Sequence, residues 1–290
     1  MMKANVEVLH PGLWTIVVDQ GRKDHVGMGI PVGGALDEPS AHQANRLVGN
    51  DLSTPLLEIT WMGPRLLFKQ EMSLALTGAD LSPTIDGVAI PMNQTVHVAR
   101  GAVLKFGRVK QGVRAYLAIR GEWEVPTWLG SASALPVELE YLLPEARLQK
   151  GSALSIYPQL TREVRMSSEE EIFRPQSEIA VYPGPEFPQF TRESIAQFFS
   201  HPYGLLPTSN RMGFRLEGPQ LQLEQKRELI SSGVMPGVIQ VSHDGQPIIL
   251  MADAQTSGGY PRIGVVATEA MQQVAQWQAG TYKRFVWAEK

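Results

Sequence analysis

At 290 residues the chain is long enough for two compact domains or one large β domain. Hydrophobic residues make up 43% and charged residues 19%, the balance of a packed globular protein and not of a disordered one. A net charge of -3 leaves no basic excess to meet a phosphate backbone, so no nucleic-acid partner is expected; with no cysteine, disulfides, thiolate catalysis and Cys-ligated zinc are excluded.

The first residues run into an alternating strand-like stretch without the apolar region of a signal peptide. No window reaches the ~18 consecutive apolar residues of a spanning helix. These features predict a cytoplasmic protein with no membrane association.

Dense Gly and Pro punctuate short apolar runs, which predicts a mainly β fold interrupted by three helices. In chain order, the first helix starts at Asp37 as N-cap, carries Ala41, Ala44, Leu47 and Val48 on one face, and stops at Gly49-Asn50. Strands follow at 72–77, 95–99, 113–119 and 152–157, and Asp86-Gly87 marks a type I′ hairpin within 84–90. The polar, aperiodic stretch 161–176, with Ser167-Ser168-Glu169-Glu170-Glu171 and Pro175, reads as a solvated linker between domains 1–160 and 177–290.

Beyond it lie a strand at 178–182 and a helix at 191–200 that presents Ile195, Phe198 and Phe199 and is closed by Pro202. A second Asp-Gly hairpin follows around Asp244-Gly245, read like the first. A strand at 263–267, a helix at 268–279 ended by Gly280, and a strand at 284–287 complete the chain.

The chain has no G-x-x-x-x-G-K-[ST] loop, so ATP is left to another subunit or to unusual means. Six scattered histidines, none at helical spacing from another, make a local metal site unexpected. Gly27-Met28-Gly29-Ile30-Pro31-Val32-Gly33 has the wrong spacing for a dinucleotide fingerprint and reads as a turn-rich loop.

Three segments carry more polar chemistry than a structural loop needs. In Val18–Arg22 followed by Gly33-Gly34-Ala35-Leu36-Asp37, Asp37 is a helix cap, yet the helix N-terminus is also a place for an anion. In Thr208–Leu216, Arg211 offers a planar fork to a carboxylate or phosphate and Asn210 offers a donor and an acceptor to an amide; both serve equally well in structure. In Gln240–Arg262 an apolar strand runs into a loop bearing Asp253, Gln255, Thr256, Tyr260 and Arg262, the pattern of an active-site rim. Asp253 reads as acid/base or as a turn former, Gln255 and Thr256 as substrate contacts, Tyr260 and Arg262 as rim or loop closure. His243 is a hairpin residue and a candidate acid/base.

Taken together, Gly33–Asp37, Asn45–Asn50, Glu58-Ile59-Thr60, Leu76–Ala79, Arg114–Ala118, Pro183–Glu186, Ser209–Leu216, Gly237–Val241 and Asp253–Arg262 resemble the family of 5-oxoprolinase C-type subunits and Kip antagonists, which is biotin-dependent-carboxyltransferase-like and was formerly labelled allophanate hydrolase subunit 2. The resemblance spans nearly the whole chain. It implies two cyclophilin-like β-barrels and a hetero-oligomer with a B-type and an A-type subunit. It also implies ATP-dependent opening of 5-oxo-L-proline to L-glutamate, with this subunit inactive alone. In fused relatives the same parts transfer a carboxyl group from carboxybiotin to urea, so biotin enters under that alternative. The family name also implies a third reading, a non-catalytic antagonist of a kinase inhibitor.

Under the first reading Arg211 binds a substrate carboxylate or a phosphate, Asn210 and Gln255 pair with the amide, and Asp253 is acid/base or orienter. Two features depart from the family pattern. Val18 stands where Gln is usual, and Gly130-Ser131-Ala132-Ser133-Ala134 is followed by no glycine until Gly151, which alters a rim of the first barrel. Trp123, Trp128 and Leu129 are candidates for burial or for the partner interface.

Overall fold

Short strands with one apolar face bury it by stacking sheets or by closing a barrel, and this chain does both. The computed structural model describes residues 5–161, 163–168, 172–225 and 229–288. The chain divides into two compact units, one comprising residues 1–22 and 33–174, the other 23–32 and 175–290.

In the first unit, a five-stranded antiparallel sheet runs in the order Trp14–Val18, Leu56–Thr60, Gln111–Ile119, Met72–Asp80, Thr95–Val98. A seven-stranded sheet runs Gly121–Glu124, Ala153–Pro158, Val6–His10, Arg65–Phe68, Val103–Lys105, Thr84–Ile85, Val88–Ala89. Alternation puts Val6 and Val8 of one strand, and Leu66 and Phe68 of its neighbour, into a single apolar core that also takes Leu57, Ile59, Leu74, Leu76 and Leu117. Trp123 belongs to that core, Trp128 packs partly against it, and Leu129 remains exposed.

Helix α1 (Glu38–Val48) covers the five-stranded sheet, its buried Ala41, Ala44, Leu47 and Val48 facing the strands Met72–Asp80 and Gln111–Ile119. Its start is fixed by Asp37, whose carboxylate accepts from Ser40 N at 3.0 Å and Ser40 Oγ at 2.7 Å. The first Asp-Gly hairpin has the expected two-residue turn. Thr84 pairs with Ala89 and Ile85 with Val88, while Asp86 (φ 50°) and Gly87 (φ 85°) take the positive angles of type I′.

The stretch expected to be a free linker is tied down in part. Thr95 N donates to Arg165 O (2.9 Å), Ser167 N to Asn93 O (2.9 Å) and Gln111 Nε2 to Phe173 O (2.9 Å), all within the first unit. The glutamate run at 169–171 lies outside the described residues.

The second unit is a closed barrel in the order Glu178–Pro183, Arg262–Val266, Val238–Val241, Pro247–Leu250, Gly213–Glu217, Tyr203–Leu205, Tyr282–Trp287. Its first and last strands meet in parallel, Ile179 opposite Phe285 and Val181 opposite Trp287. Helix α2 (Arg192–Ser200), capped by Thr191 Oγ1 at 3.1 Å from Ser194 N, stacks Phe198 on Phe285 with ring centroids 4.6 Å apart. The mainly β, two-domain expectation holds, with the closed barrel in the second unit and paired sheets in the first.

Two local readings need correction. The helix expected at 268–279 is a 3₁₀ turn, Thr268–Ala270, followed by the short helix α3 (Met271–Ala275). Buried Trp277 donates from Nε1 to Thr281 O (3.1 Å) and Gly280 N donates to Leu205 O (2.9 Å), which turns the chain early into its last strand. The second Asp-Gly hairpin is not a two-residue turn. Gly245 N donates to Ser242 O (2.9 Å) and Ser242 N to Gln246 O (3.0 Å), and Gly245 (φ 78°), not Asp244, takes the positive angle; this is a type I turn closed by a left-handed residue.

Among the described residues no helix is long and apolar enough to cross a membrane. Replacing Asp37 by Ala should lower the unfolding free energy by about 1–2 kcal/mol, the usual cost of a lost N-cap. Urea denaturation measures it, and an unchanged midpoint would show that the cap carries no weight.

Candidate functional site

Where the chain enters α1, its backbone N–H groups converge on an internal anion. Leu36 N donates to Glu58 Oε2 (2.9 Å), Asp37 N to the Tyr116 phenol oxygen (2.8 Å), and that phenol donates to Glu58 Oε2 (2.8 Å). Glu58 is fully buried, with Arg114 Nε at 3.8 Å. Burial, reinforced by the Glu58 charge, lifts the Tyr116 phenol well above its ordinary value, so it stays a proton donor to the carboxylate. The anion that meets this terminus is the chain's own Glu58, and Asp37 is buried as the helix cap.

The altered rim of the first unit is likewise bound internally. Both Ser131 Oγ and Ser133 Oγ donate to Asp19 Oδ1 at 2.6 Å, and Ala132 N donates to Oδ2 at 2.7 Å. Arg22 donates to the carbonyls of Trp128, Ser131 and Ser133. The glycine-free stretch beyond forms 3₁₀ helices at Val137–Leu142 and Pro144–Ala146. A small cleft of about 280 Å³ nearby is occupied at its rim by Arg147, stacked 4.1 Å over Trp14 and paired with Glu140 at 3.2 Å.

In the second unit the charged candidates find partners within the fold. Arg211 grips Asp253 with Nε to Oδ2 at 2.8 Å and Nη2 to Oδ1 at 2.9 Å, both side chains buried. The carboxylate that Arg211 holds is thus Asp253's, and proton transfer by Asp253 would require breaking a bidentate pair. Arg262 does the same with Glu186, through Nε and Nη2 at 2.7 Å each, and its backbone N–H adds a third bond at 3.0 Å. Hydrogen bonding to Arg262 holds the Glu186 carboxyl below its ordinary value. Asn210 is exposed and turns its Oδ1 onto Met212 N at 2.8 Å. Thr256 contributes its carbonyl to Val234 N at 3.0 Å.

A cleft of about 990 Å³ opens on this unit. Its lining draws on the turn 242–245, the loop 258–261, Gln255 and the segment 220–223, so that His243, Tyr260 and Gln255 of the expected residues face it together. The rings of His243 and Tyr260 meet edge to face, 5.1 Å between centroids. Asp244, hydrogen-bonded by Ser242 Oγ, is held below the ordinary carboxylate range and is an anion at neutral pH. Asn210, Arg211, Asp253, Thr256 and Arg262 are not among the lining residues described, and Asp37 belongs to the other unit.

Sequence reasoning passed over Gln240, Gln220, Gln222 and Glu186. Gln240 is 1% exposed, lies in an otherwise apolar strand, is among the residues along the cleft, and its buried Nε2 has no hydrogen-bond partner among the described residues. An unpaired amide of this kind costs about 1–3 kcal/mol. The signal available was a single amide within Val238-Ile239-Gln240-Val241, where a barrel strand should be apolar on its inner face.

A mainly β protein of two units, the second a closed barrel with an amide-lined cleft, is the class these features define. The chain belongs to the family described as carboxyltransferase domain, subdomain A and B, whose pattern matches residues 28–287. It is 39% identical over 283 residues to the C-type subunit of 5-oxoprolinase from Escherichia coli strain K12, covering 97% of this chain and 90% of that protein, so the resemblance read from its motifs holds. Among solved structures it is similar to Kluyveromyces lactis urea carboxylase (30% identical, TM-score 0.91), covering 100% of this chain and 28% of that one. It is also similar to TTHA0988 (31% identical, TM-score 0.87), covering 99% of this chain and 56% of that one. The chain therefore spans about half, or less, of those solved chains.

Two outcomes follow for the ion pairs. Asp253→Ala should cost about 3–5 kcal/mol of stability by stranding the Arg211 charge in a buried site, measured as a fall in the thermal midpoint; an unchanged midpoint would rule out a structural pair. Glu186 has a folded-state pKa depressed below its ordinary 4.5, so its contribution is complete above that value and is lost as pH falls through the folded value. Glu186→Gln should flatten that part of the acid limb of a stability-versus-pH curve and leave its slope above pH 6 unaltered.

Proposed function

We propose that this chain is the C-type subunit of an ATP-dependent 5-oxoprolinase, in which the cleft of its closed barrel receives the lactam of 5-oxo-L-proline and the assembled complex opens it to L-glutamate. The observation that carries this reading is the cleft itself, with the amides of Gln220, Gln222, Gln240 and Gln255 along its lining. A side-chain amide can donate to a lactam carbonyl and accept from a lactam N–H. The likeness to a subunit of 5-oxoprolinase supports the same assignment.

A lactam is a stable amide, and water attacks it only after its carbonyl oxygen has been activated, for instance by phosphoryl transfer from ATP. This chain has no P-loop, so ATP is handled with the partner subunits. Its own residues would hold and orient the ring, with His243 and Tyr260 closing one wall and His243 placed to move a proton. Asp253 and Arg262, bound to Arg211 and Glu186, keep the loop 251–262 in shape and act on the ligand only through that loop. The machine is completed by a B-type and an A-type protein, and this chain is inactive alone.

A second reading has its own support in the likeness to urea carboxylase. Under it the same cleft holds urea or another small amide, and carboxybiotin on a partner supplies the carboxyl group.

Mixing this chain with its cognate B-type and A-type proteins and following ATP-dependent glutamate release tests the first reading. Glutamate should appear only when all three are present, and this chain should co-purify with the B-type protein. Turnover of 5-oxoproline by this chain alone would overturn the proposal of an obligate complex. Carboxylation of urea by a biotin-charged mixture that makes no glutamate would establish the second reading instead.

A further inference from the structure

The small cleft of the first unit gathers two cations among apolar side chains. Arg147 and Lys150 share its lining with Pro11, Leu13, Trp14 and Leu148. Both cations are within reach of a ligand, the Arg147 side chain being 38% exposed and Lys150 exposed. Arg147 is nevertheless held in place, its guanidinium 4.1 Å over the Trp14 ring and its backbone bridged to Ile16. A guanidinium carries five N–H donors in one plane, and the contact with Glu140 uses Nη1, at 3.2 Å. What this fork accepts is therefore already on view, and it is a carboxylate.

Glu140 is a loosely held counter-ion. It comes from the 3₁₀ helix Val137–Leu142, none of whose residues is buried. A segment with so few buried contacts opens locally at little cost, and a partly exposed ion pair is weakened by water and salt. The chain's own carboxylate thus stands where an incoming one can replace it.

The dimensions of the cleft narrow the ligand. At about 30 Å³ for the space of one water, 280 Å³ takes a molecule of about nine heavy atoms. A short dicarboxylic acid offers one carboxylate to each cation and its methylene chain to Leu13 and Leu148. Inorganic phosphate would bring the charge and leave the apolar part of the lining unused.

We propose that this cleft is a binding site for a small organic dicarboxylate, which takes the place of Glu140 on Arg147. The site belongs to the first unit and is independent of the barrel cleft and of the reaction assigned to it. Arg147 and Lys150 are its anchoring residues.

The test titrates the full chain with glutarate, with its neutral analogue glutaramide and with inorganic phosphate. Binding is followed through the indole N–H resonance of Trp14, assigned by its loss in Trp14→Phe. Glutarate should give a saturable shift, phosphate should bind more weakly and glutaramide should give none. Arg147→Gln should raise the Kd for glutarate at least about tenfold. Lys150→Met, at an exposed position that folding tolerates, should raise it about 2- to 5-fold and serves where the first variant fails to fold. Glu140→Gln, which removes the competitor, should lower it by about the same factor. A missing glutarate shift, or an unchanged Kd in Arg147→Gln and Lys150→Met, would overturn the site. Glutaramide binding as tightly as glutarate would overturn selection by charge, and tighter binding of phosphate would overturn the dicarboxylate class. An unchanged or raised Kd in Glu140→Gln would overturn the exchange with Glu140.

Discussion

The second unit depends on a single closing contact, the parallel pairing of its first strand, Glu178–Pro183, with its last, Tyr282–Trp287. Every other pairing around the ring is antiparallel and joins strands that lie inside the unit. Without the parallel pair the sheet would keep two open edges, each a row of unpaired N–H and C=O groups. With it, Ile179 and Phe285 face the same interior and α2 lays Phe198 on Phe285, so closure and core packing reinforce each other. Lys283 lies in the closing strand and donates to Gln176 O; burial pulls its ammonium below the ordinary lysine value.

A closed ring gives the loops that leave it fixed feet, and the ionic contacts of this unit are spent on holding those loops. Arg211 with Asp253, and Arg262 with Glu186, are planar forks filled by carboxylates of the same chain. Bidentate geometry makes each pair rigid as well as strong. Among the described lining of the cleft, the polar groups are four amides, a hydroxyl, a phenol, an imidazole and one anion, set among apolar residues such as Phe190, Leu221, Leu223 and Leu229.

This division explains what the sequence could and could not disclose. Periodicity and capping placed α1, α2 and most strands because those signals are local: Asp37 with Ser40, Thr191 with Ser194, Asp86 with Gly87. The third helix was overestimated because its end depends on Trp277 and Gly280 reaching strands that local pattern cannot see. The second hairpin shows that Asp-Gly has more than one solution, decided by how Ser242 and Gln246 bond across the turn.

Among the functional candidates, residue type alone could not tell an Arg that waits for a ligand from one already holding a carboxylate. Asp253 is 42 residues from Arg211, and Glu186 is 76 from Arg262, distances over which only the fold decides pairing. Asp37 was legible as a cap and not as a neighbour of Glu58. His243, Tyr260 and Gln255 were legible as polar groups at strand ends, and the fold gathers them at one cleft.

The parallel closure also orders events during synthesis. A ribosome makes Glu178–Pro183 first among the barrel strands and Tyr282–Trp287 last, with the remaining strands in between. Until Arg262–Val266 has been made the oldest strand of the unit has neither barrel partner, and until residue 287 has emerged it keeps one edge unclaimed while the antiparallel pairs of the ring are already able to form. A nascent chain in that condition presents a row of unpaired N–H and C=O groups along its oldest strand until its youngest arrives to cover them.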